Sequence, residues 1–239
     1  MKILYIFSHP DDESFGPSAG ISAQLRAGHE VHLLTLTKGE ATKQRLKLGL
    51  SKEEMADVRY KEMLNVQKTL GLTSMTVLDL PDSGLKELDP RIIESGVEKE
   101  IKKIKPDIIV TYPCYGVSGF HDHLINHAVV KRVYLQMKDE GADYLKRLAF
   151  FTLSEEDLKR KSLTMKFNIQ SSPEELIDCK TPIDETDIEN MKNGLKCYET
   201  YKDTIEETGV MNMFKDELSF EIFGEDHKPV LEDITKNLK

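Results

Sequence analysis

Short apolar runs that alternate with helix-length segments are the feature that most restricts how this chain can fold. The first run, Ile3 to Phe7, is followed by a helical pattern from Ser14 to Ala27. The same patterns predict further strands at 31–36, 76–80, 108–111 and 147–153, and helices at 51–70, 90–105 and 122–139. Such alternation indicates right-handed β-α-β units and a mainly parallel sheet. We therefore predict an α/β fold of Rossmann-like order, with helices on both faces of the sheet.

The last third of the chain has a weaker pattern. Residues 184–204 have a helical pattern, residues 218–223 alternate like a strand, and the charged tail from Glu225 is typical of a terminal helix or a partly mobile segment. No linker rich in Pro, Gly or Ser separates this part from the rest. We predict one domain over residues 1–239, with a Rossmann-like core at 1–153 and a smaller C-terminal α+β addition at 154–239.

Charge, cysteine content and hydropathy argue against several classes of partner and compartment. The net charge of −9 comes from interleaved acidic and basic residues, which leaves no basic face for nucleic acid or an anionic membrane. The first apolar run is too short for the core of a signal peptide, and no later run is long enough to span a bilayer. Three widely spaced cysteines favour neither a disulfide framework nor a zinc module. We expect a reduced, soluble, cytoplasmic protein; whether it forms a homo-oligomer stays open.

The segment His9-Pro10-Asp11-Asp12-Glu13 directly follows the first predicted strand. It places one imidazole and three carboxylates at the carboxyl end of a parallel strand, the edge where open α/β sheets bind their ligands. Left unpaired, so much charge would be costly, and a divalent cation would neutralise it. A lone histidine here would be more typical of a hydrogen-bonded strand end, but the three neighbouring carboxylates favour a metal site.

A second cluster, Gly116 to His123, follows the fourth predicted strand in the same way. Two such strand ends can converge at the switch point of the sheet. Zinc accepts imidazole and carboxylate ligands, and hydrolytic zinc sites supply three protein ligands and leave the fourth position to water. His9 and Asp12 are three residues apart and can face one point. His123 would complete a set of two histidines and one aspartate around a zinc ion.

Neighbouring residues have structural explanations as well as functional ones. Glu13 can support a ligand, cap the first helical turn or anchor a loop. Asp122 is adjacent to His123 and is of the type that orients a ligating histidine. His127 lies four residues after His123, a spacing that itself suits a metal, yet we favour His123 as the ligand and His127 as a surface or packing residue. Cys114 is predicted to be a small buried hydrophobic residue.

These motifs resemble those of the LmbE/PIG-L family of zinc-dependent N-deacetylases. The resemblance is carried by the His-Pro-Asp-Asp-Glu string after a first strand and by a Gly-x-x-Asp-His segment after a later one. Further segments extend it over about residues 1–130: Thr37-Lys38-Gly39-Glu40, Arg59 with Glu62, and Pro81-Asp82-Ser83-Gly84-Leu85. The last third of the chain matches only loosely.

The resemblance implies removal of an N-acetyl group from an N-acetylglucosamine-type or related small amino-sugar conjugate. It implies that His9, Asp12 and His123 hold one zinc ion per chain. It also implies that Asp11 is the general base that takes a proton from water activated by the metal. A serine or cysteine nucleophile is not required by this chemistry, and no motif for one is evident in the sequence.

One position departs from the family pattern. The family segment usually reads His-Pro-Asp-His, and its first histidine assists the oxyanion, whereas this chain has Phe120 at that place. Phenylalanine cannot donate a proton, so we assign the catalytic role of oxyanion assistance to His121, one residue later.

The resemblance also suggests contacts to the substrate. Arg59 and Asp82 match family positions that face the hydroxyls of the sugar or neighbouring groups. Arg59 can equally pair with Glu62 on its own helix, and Asp82 can be an ordinary turn residue. Tyr112 and Tyr115 lie between the fourth strand and the second cluster, where they could line the pocket entrance.

Three other functions remain as alternatives. The same metal centre could hydrolyse another small amide or a carbamoyl group. A non-catalytic metal- or carbohydrate-binding protein is a second alternative, motivated by Phe120. A dinucleotide-dependent oxidoreductase is disfavoured, because the first strand-helix turn has carboxylates where glycines would cradle a pyrophosphate.

Overall fold

The computed structural model describes residues 1–160 and 168–238. Residues 161–167 and Lys239, which belong to the predicted C-terminal addition, lie outside the described residues. Within the described part, the strands are β1 (Lys2–Phe7), β2 (Glu30–Thr37), β3 (Ser74–Leu80), β4 (Ile108–Thr111), β5 (Arg147–Thr152), β6 (Cys179–Pro182) and β7 (Glu217–Ile222). The α-helices are α1 (Pro17–Arg26), α2 (Gln44–Leu48), α3 (Lys52–Leu70), α4 (Pro90–Ile104), α5 (His121–Asp139), α6 (Glu155–Lys159), α7 (Glu185–Lys196) and α8 (Lys202–Thr208).

All of these strands belong to one sheet with the order β3-β2-β1-β4-β5-β7-β6. The first five strands are parallel, and Ile3 of β1 lies opposite Val31 on one side and Ile108 on the other. Strand β7 runs antiparallel to both β5 and β6. The predicted α/β fold with a mainly parallel sheet is therefore confirmed, and the strands that the last third contributes extend the same sheet.

Strand β1 shows why the apolar runs of the sequence are continuous rather than alternating. Ile3, Tyr5 and Phe7 point into one hydrophobic cluster and Leu4 and Ile6 into another. All five side chains are fully buried, because helices cover both faces of the sheet. A strand buried on both sides needs apolar residues at every position, which is the pattern that the sequence shows.

Helix α3 begins and ends at residues whose chemistry favours those positions. Ser51 and Glu54 form a capping box, in which each side chain accepts from the backbone N–H of the other residue. The helix ends at Gly71, whose φ of 75° is the left-handed conformation that glycine adopts at little cost. The predicted span of residues 51–70 is thereby confirmed.

Four predictions about local structure were wrong. Helix α1 begins at Pro17 rather than Ser14, because residues 10–16 form consecutive turns with positive φ at Asp11 and Gly16. The helix predicted over residues 184–204 ends at Lys196, and a new helix begins at Lys202. Just beyond this helix, Tyr198 has a non-helical backbone with φ −90° and ψ 70°, and its buried hydroxyl donates to Glu13.

The third and fourth errors concern the tail and a cysteine. Of the two alternatives for the tail, the terminal helix is wrong, because a parallel bridge pairs Leu231 with Cys179 and Arg147 binds the backbone carbonyls of Ile234 and Lys236. Cys114 is exposed rather than buried, in the loop after β4. Strand β6 had no prediction at all. None of the described helices has the length and apolar character to cross a membrane.

Candidate metal centre and active site

The functional side chains gather where the sheet order reverses. Strand β1 is followed in the chain by β2 on one side, whereas its other neighbour is β4. Loops that leave adjacent strands in opposite directions open a crevice at the carboxyl end of the sheet. The turn after β1 carries His9 and Asp12, and the loop after β4 leads into α5, whose first turn carries His123.

Three side chains meet at one point in this crevice. His9 Nδ1 lies 3.2 Å from His123 Nε2 and 3.4 Å from an oxygen of Asp12. The other oxygen of Asp12 lies 3.3 Å from His123 Nε2. One ligand atom from each of the three residues lies within 4.8 Å of the other two. The structure thus brings together the two imidazoles and the aspartate that the sequence suggested as a metal-binding set.

The remaining nitrogen of each imidazole has its own partner. His9 Nε2 lies 3.1 Å from Asp122 Oδ2 and 3.3 Å from Asp82 Oδ1. His123 Nδ1 lies 3.0 Å from the carbonyl oxygen of Gly116. Because these oxygens accept, the two nitrogens that face them carry protons, and His9 Nδ1 and His123 Nε2 are the ring nitrogens that face the Asp12 carboxylate. Two ring nitrogens and a carboxylate at this separation form a donor set that a cation fits.

Asp122 is itself held in place by backbone donors. Its carboxylate accepts from the N–H of Ser83 at 2.8 Å and of Leu85 at 3.3 Å. Both donors belong to the turn after β3, so Asp122 connects that turn to His9. Asp122 therefore contacts His9 rather than the adjacent His123.

Tyr112 fixes the orientation of Asp12. Its hydroxyl donates to the Asp12 carboxylate and accepts from the backbone N–H of Ser8 at 2.9 Å. Burial raises the pKa of Tyr112 well above its ordinary value, so the hydroxyl stays a donor. Burial also acts to raise the pKa of Asp12, but the neighbouring His123 and His9 hold it well below its usual range. Asp12 is therefore ionised.

Asp11 has a different partner from Asp12, whose carboxylate faces the two histidines. Its φ of 86° is a left-handed conformation that aspartate tolerates better than most residues. Its carboxylate accepts from Arg59 at 2.7 Å. Burial raises the pKa of Asp11 to about 6, against the lowering effect of Arg59. A carboxyl that titrates near neutrality beside a metal-binding set is suited to proton transfer.

Arg59 is held by the C-terminal part of the chain. Its guanidinium lies 4.1 Å from the ring centroid of Tyr201 and 5.1 Å from that of Tyr198. The expected pair with Glu62 gives way to another arrangement, in which Glu62 accepts from the N–H and the hydroxyl of Thr200, both at 2.8 Å. The Arg59 side chain is only 1% exposed, so Arg59 is a buried partner of Asp11.

Glu13 is buried beneath this arrangement. It accepts from the Tyr198 hydroxyl at 2.7 Å and from Ser14. Of the roles left open for it, anchoring a loop agrees with these contacts. The sequence offered no signal for Tyr198 or Tyr201 as neighbours of the site, because about 140 residues separate them from Arg59 and no local pattern links such distant segments.

A cavity of about 630 Å³ opens over these side chains. Its wall includes the predicted residues His9, Asp11, Asp12, Arg59, Asp82, Phe120, His121, Asp122 and His123. His121 is exposed at the first position of α5, and Phe120 is half exposed with its ring edge-on to His123 at 5.5 Å. The wall does not include Glu13.

Two other predicted neighbours behave differently from each other. Tyr112 lines the cavity, whereas Tyr115 turns away to hydrogen-bond Thr152 and Ser172.

His127 lies against the ring of Phe150 at 4.7 Å and hydrogen-bonds the carbonyl of Tyr112 at 2.8 Å. It is a packing residue, in agreement with the prediction.

Comparison with solved structures shows the same fold elsewhere. Teicoplanin deacetylase Orf2 in its zinc-inhibited form superposes with a TM-score of 0.70 at 11% identity, over 93% of this chain and 97% of that one. N,N'-diacetylchitobiose deacetylase from Pyrococcus horikoshii gives 0.63 at 17% identity, over 93% and 83%. The 4-carboxy-2-hydroxymuconate hydratase GalB of Pseudomonas putida gives 0.68 at 13% identity, over 94% and 96%. Since these include a hydratase, the fold alone does not select a reaction.

Comparison of sequences identifies the family. The chain is 25% identical over 175 residues to a 1D-myo-inositol 2-acetamido-2-deoxy-alpha-D-glucopyranoside deacetylase of Kineococcus radiotolerans, covering 59% of this chain and 46% of that protein. It is 29% identical over 143 residues to a probable N-acetyl-alpha-D-glucosaminyl L-malate deacetylase 2 of Bacillus subtilis, covering 58% and 63%. The match thus spans about half to two thirds of these relatives. Residues 4–134 match the family model described as PIG-L, GlcNAc-PI de-N-acetylase, and this chain belongs to that family.

Proposed function

We propose that this protein is a zinc-dependent hydrolase that removes the N-acetyl group from an N-acetylglucosamine-type or related small amino-sugar conjugate. The observation that carries the proposal is the meeting of His9, Asp12 and His123 at one point, with Asp11 beside them. The cavity above them is within the range of about 300–1,000 Å³ that encloses small-molecule ligands. Relatives named for the deacetylation of such conjugates support the choice of substrate class.

The ligand set suits zinc because it offers three protein atoms and leaves room for water. When bound, zinc would supply Lewis acidity, which lowers the pKa of water and polarises an amide carbonyl. The protein's own contribution is to hold His9, Asp12 and His123 in one orientation. Three contacts hold this orientation: the Asp122 carboxylate contacts His9, the Tyr112 hydroxyl contacts Asp12, and the Gly116 carbonyl contacts His123.

Asp11 would take the proton of the attacking water and return a proton to the leaving nitrogen. A group is most effective in both directions when its pKa lies near the working pH, and burial raises the pKa of Asp11 to about 6. Arg59 orients the Asp11 carboxylate through their contact at 2.7 Å. Because its guanidinium is so fully buried, this positioning role is favoured over the sugar contact expected from the resemblance.

Asp82 remains our candidate for a sugar contact. Its Oδ2 accepts from the backbone N–H of Ala41 at 2.7 Å, while Oδ1 lies 3.3 Å from His9 Nε2. It lines the cavity, so a free lone pair can accept from a substrate hydroxyl. Its contact with His9, a proposed zinc ligand, supports a role for Asp82 beyond that of an ordinary turn residue.

The proposal is tested by measuring primary amine released from a panel of N-acetylated sugars and sugar conjugates, with and without a chelator. We expect about one zinc ion per chain, amine release that the chelator abolishes, and recovery on adding zinc back. Sugar binding without amine release would indicate a non-catalytic binding protein. Failure of every member of the panel with zinc present would contradict the proposal.

His121→Ala tests the assignment of oxyanion assistance. If His121 donates to the developing oxyanion, kcat should fall by about 100- to 1,000-fold with little change in KM. The matched control is His29→Ala, at the opposite edge of the sheet just before β2, which should leave kcat unchanged. An unaltered rate for His121→Ala would remove this residue from the mechanism.

A further inference from the structure

The cavity over the metal-binding set has two halves of different character. The wall formed by the loops after β2 and β3 is polar and includes Lys43, Gln44, Ser83 and Lys86. The wall on the other side is apolar and includes Phe15, Val117, Phe151, Leu153, Ile169 and Met213. Val117 follows β4, and Phe151 and Leu153 lie at the end of β5, so the sheet order places these three on the side of β1 opposite to the loops after β2 and β3.

The apolar wall continues directly from the proposed zinc ligands. The ring of Tyr112 stacks on His123 with centroids 4.1 Å apart, and Phe7 meets Tyr112 at 4.9 Å. Phe7, Phe151 and Leu153 belong to the same hydrophobic cluster as Met213, so apolar packing connects these cavity-lining side chains. An apolar group attached to the reacting carbonyl would therefore meet apolar side chains from its first atoms onward.

Val117 shows that the apolar character is maintained at a local cost. Its φ of 58° is a left-handed conformation that is unfavourable for a β-branched residue. Asparagine or glycine would adopt this conformation more easily. Strained residues of this kind persist where the surrounding structure or function requires them, and Val117 is half-buried at the cavity wall.

We propose that this site, besides the N-acetyl amide, also cleaves amides whose acyl group is linear, apolar and larger than acetyl, and that this acyl group lies in the half of the cavity over β4 and β5. The polar amine-bearing part, an amino sugar, lies over β2 and β3. This inference rests on the proposed amide hydrolysis. Water adds to the carbonyl carbon, the carbon–nitrogen bond breaks, the carboxylic acid keeps the acyl chain, and the amine gains the proton. An acetyl methyl would leave most of the apolar wall in contact with water.

The first test measures binding to the zinc-free protein and therefore does not depend on turnover. Calorimetric titration compares N-octanoylglucosamine with N-acetylglucosamine. Complete burial of one methylene tightens binding about fourfold, and half of that free energy tightens it about twofold. Over the six additional methylenes of the octanoyl compound, the smaller value predicts about 50-fold tighter binding. Apolar burial also predicts a more negative heat-capacity change for the longer chain. Equal affinity and equal heat capacity for both compounds would overturn the proposal.

A variant of Val117 isolates the apolar wall. Val117→Asn places a polar side chain there while suiting the left-handed backbone, so the protein should fold at least as stably as the wild type. We expect the preference for the octanoyl compound to fall by about 10-fold, since a polar group is then desolvated by the chain. Ile92→Asn, at an exposed position of α4, is the matched control and should keep the preference. A preference that Val117→Asn leaves intact contradicts the assigned location.

Turnover separates the failure of this inference from that of the proposed function. With zinc bound, we expect kcat/KM for amine release to rise from the acetyl to the butanoyl and octanoyl amides of glucosamine. Two results would reject the acyl assignment and leave amide hydrolysis standing. One is amine release from the acetyl compound alone. The other is tight binding only of a sugar that carries its apolar group as an aglycone. Preferential binding of the octanoyl amide without release of amine from any compound would reject the hydrolase and leave the apolar acyl site.

Discussion

Replacing Asp11 with Asn is expected to lower kcat for amine release by about 100- to 10,000-fold, the usual contribution of a positioned general base. The variant keeps the size of the side chain but cannot accept a proton. Asparagine also tolerates the left-handed backbone of this position, where φ is 86°, so the turn after β1 should keep its shape. Asp11 contacts Arg59 rather than the proposed zinc ligands, and zinc content should therefore remain at the wild-type level.

The measurements are the rate of amine release and the zinc content of the same preparation. Asp79→Asn is a matched control, because Asp79 is an exposed aspartate that pairs with Lys38 outside the crevice. It should change neither quantity. Loss of zinc in Asp11→Asn would show that Asp11 contributes to metal binding. A rate within about threefold of the wild type would exclude Asp11 as the general base, because a positioned base contributes far more.

His123→Ala is expected to weaken zinc binding by more than about 100-fold. Removing a residue that only hydrogen-bonds a metal ligand costs up to about 100-fold in affinity, and removing the ligand itself should cost more. The substitution removes one of three converging ligand atoms and leaves the Asp12 carboxylate buried with a single imidazole. Amine release should be lost in parallel at limiting zinc. Competition with a chromophoric chelator measures the affinity directly.

His127→Ala is the control that the chain itself offers. His127 is on the same helix four residues later, and its contacts are to the Tyr112 carbonyl and the ring of Phe150. In His127→Ala, zinc affinity should stay within about threefold of the wild type, because only a packing residue changes. Equal loss of zinc in both variants would contradict the proposed ligand set, as would full retention in His123→Ala.

Much of the fold was predictable because its signals are local. A strand buried on both faces is a continuous apolar run, and the capping box Ser51 with Glu54 marks the start of α3. The proposed zinc ligands could be predicted from the sequence for the same reason. His9 and Asp12 follow one parallel strand and His123 begins the helix after another, and the carboxyl ends of neighbouring parallel strands meet at one edge of the sheet.

The sequence by itself thus determined the α/β alternation and which side chains lie at the carboxyl edge of the sheet. Only the tertiary structure decided that the helical pattern ends at Lys196, that Tyr198 and Tyr201 enclose Arg59, and that the cavity is polar on one side and apolar on the other. The physical reason is the range of the interactions. Hydrophobic periodicity and capping act within a few residues, whereas the buried Tyr198–Glu13 contact joins segments 185 residues apart and depends on the complete fold.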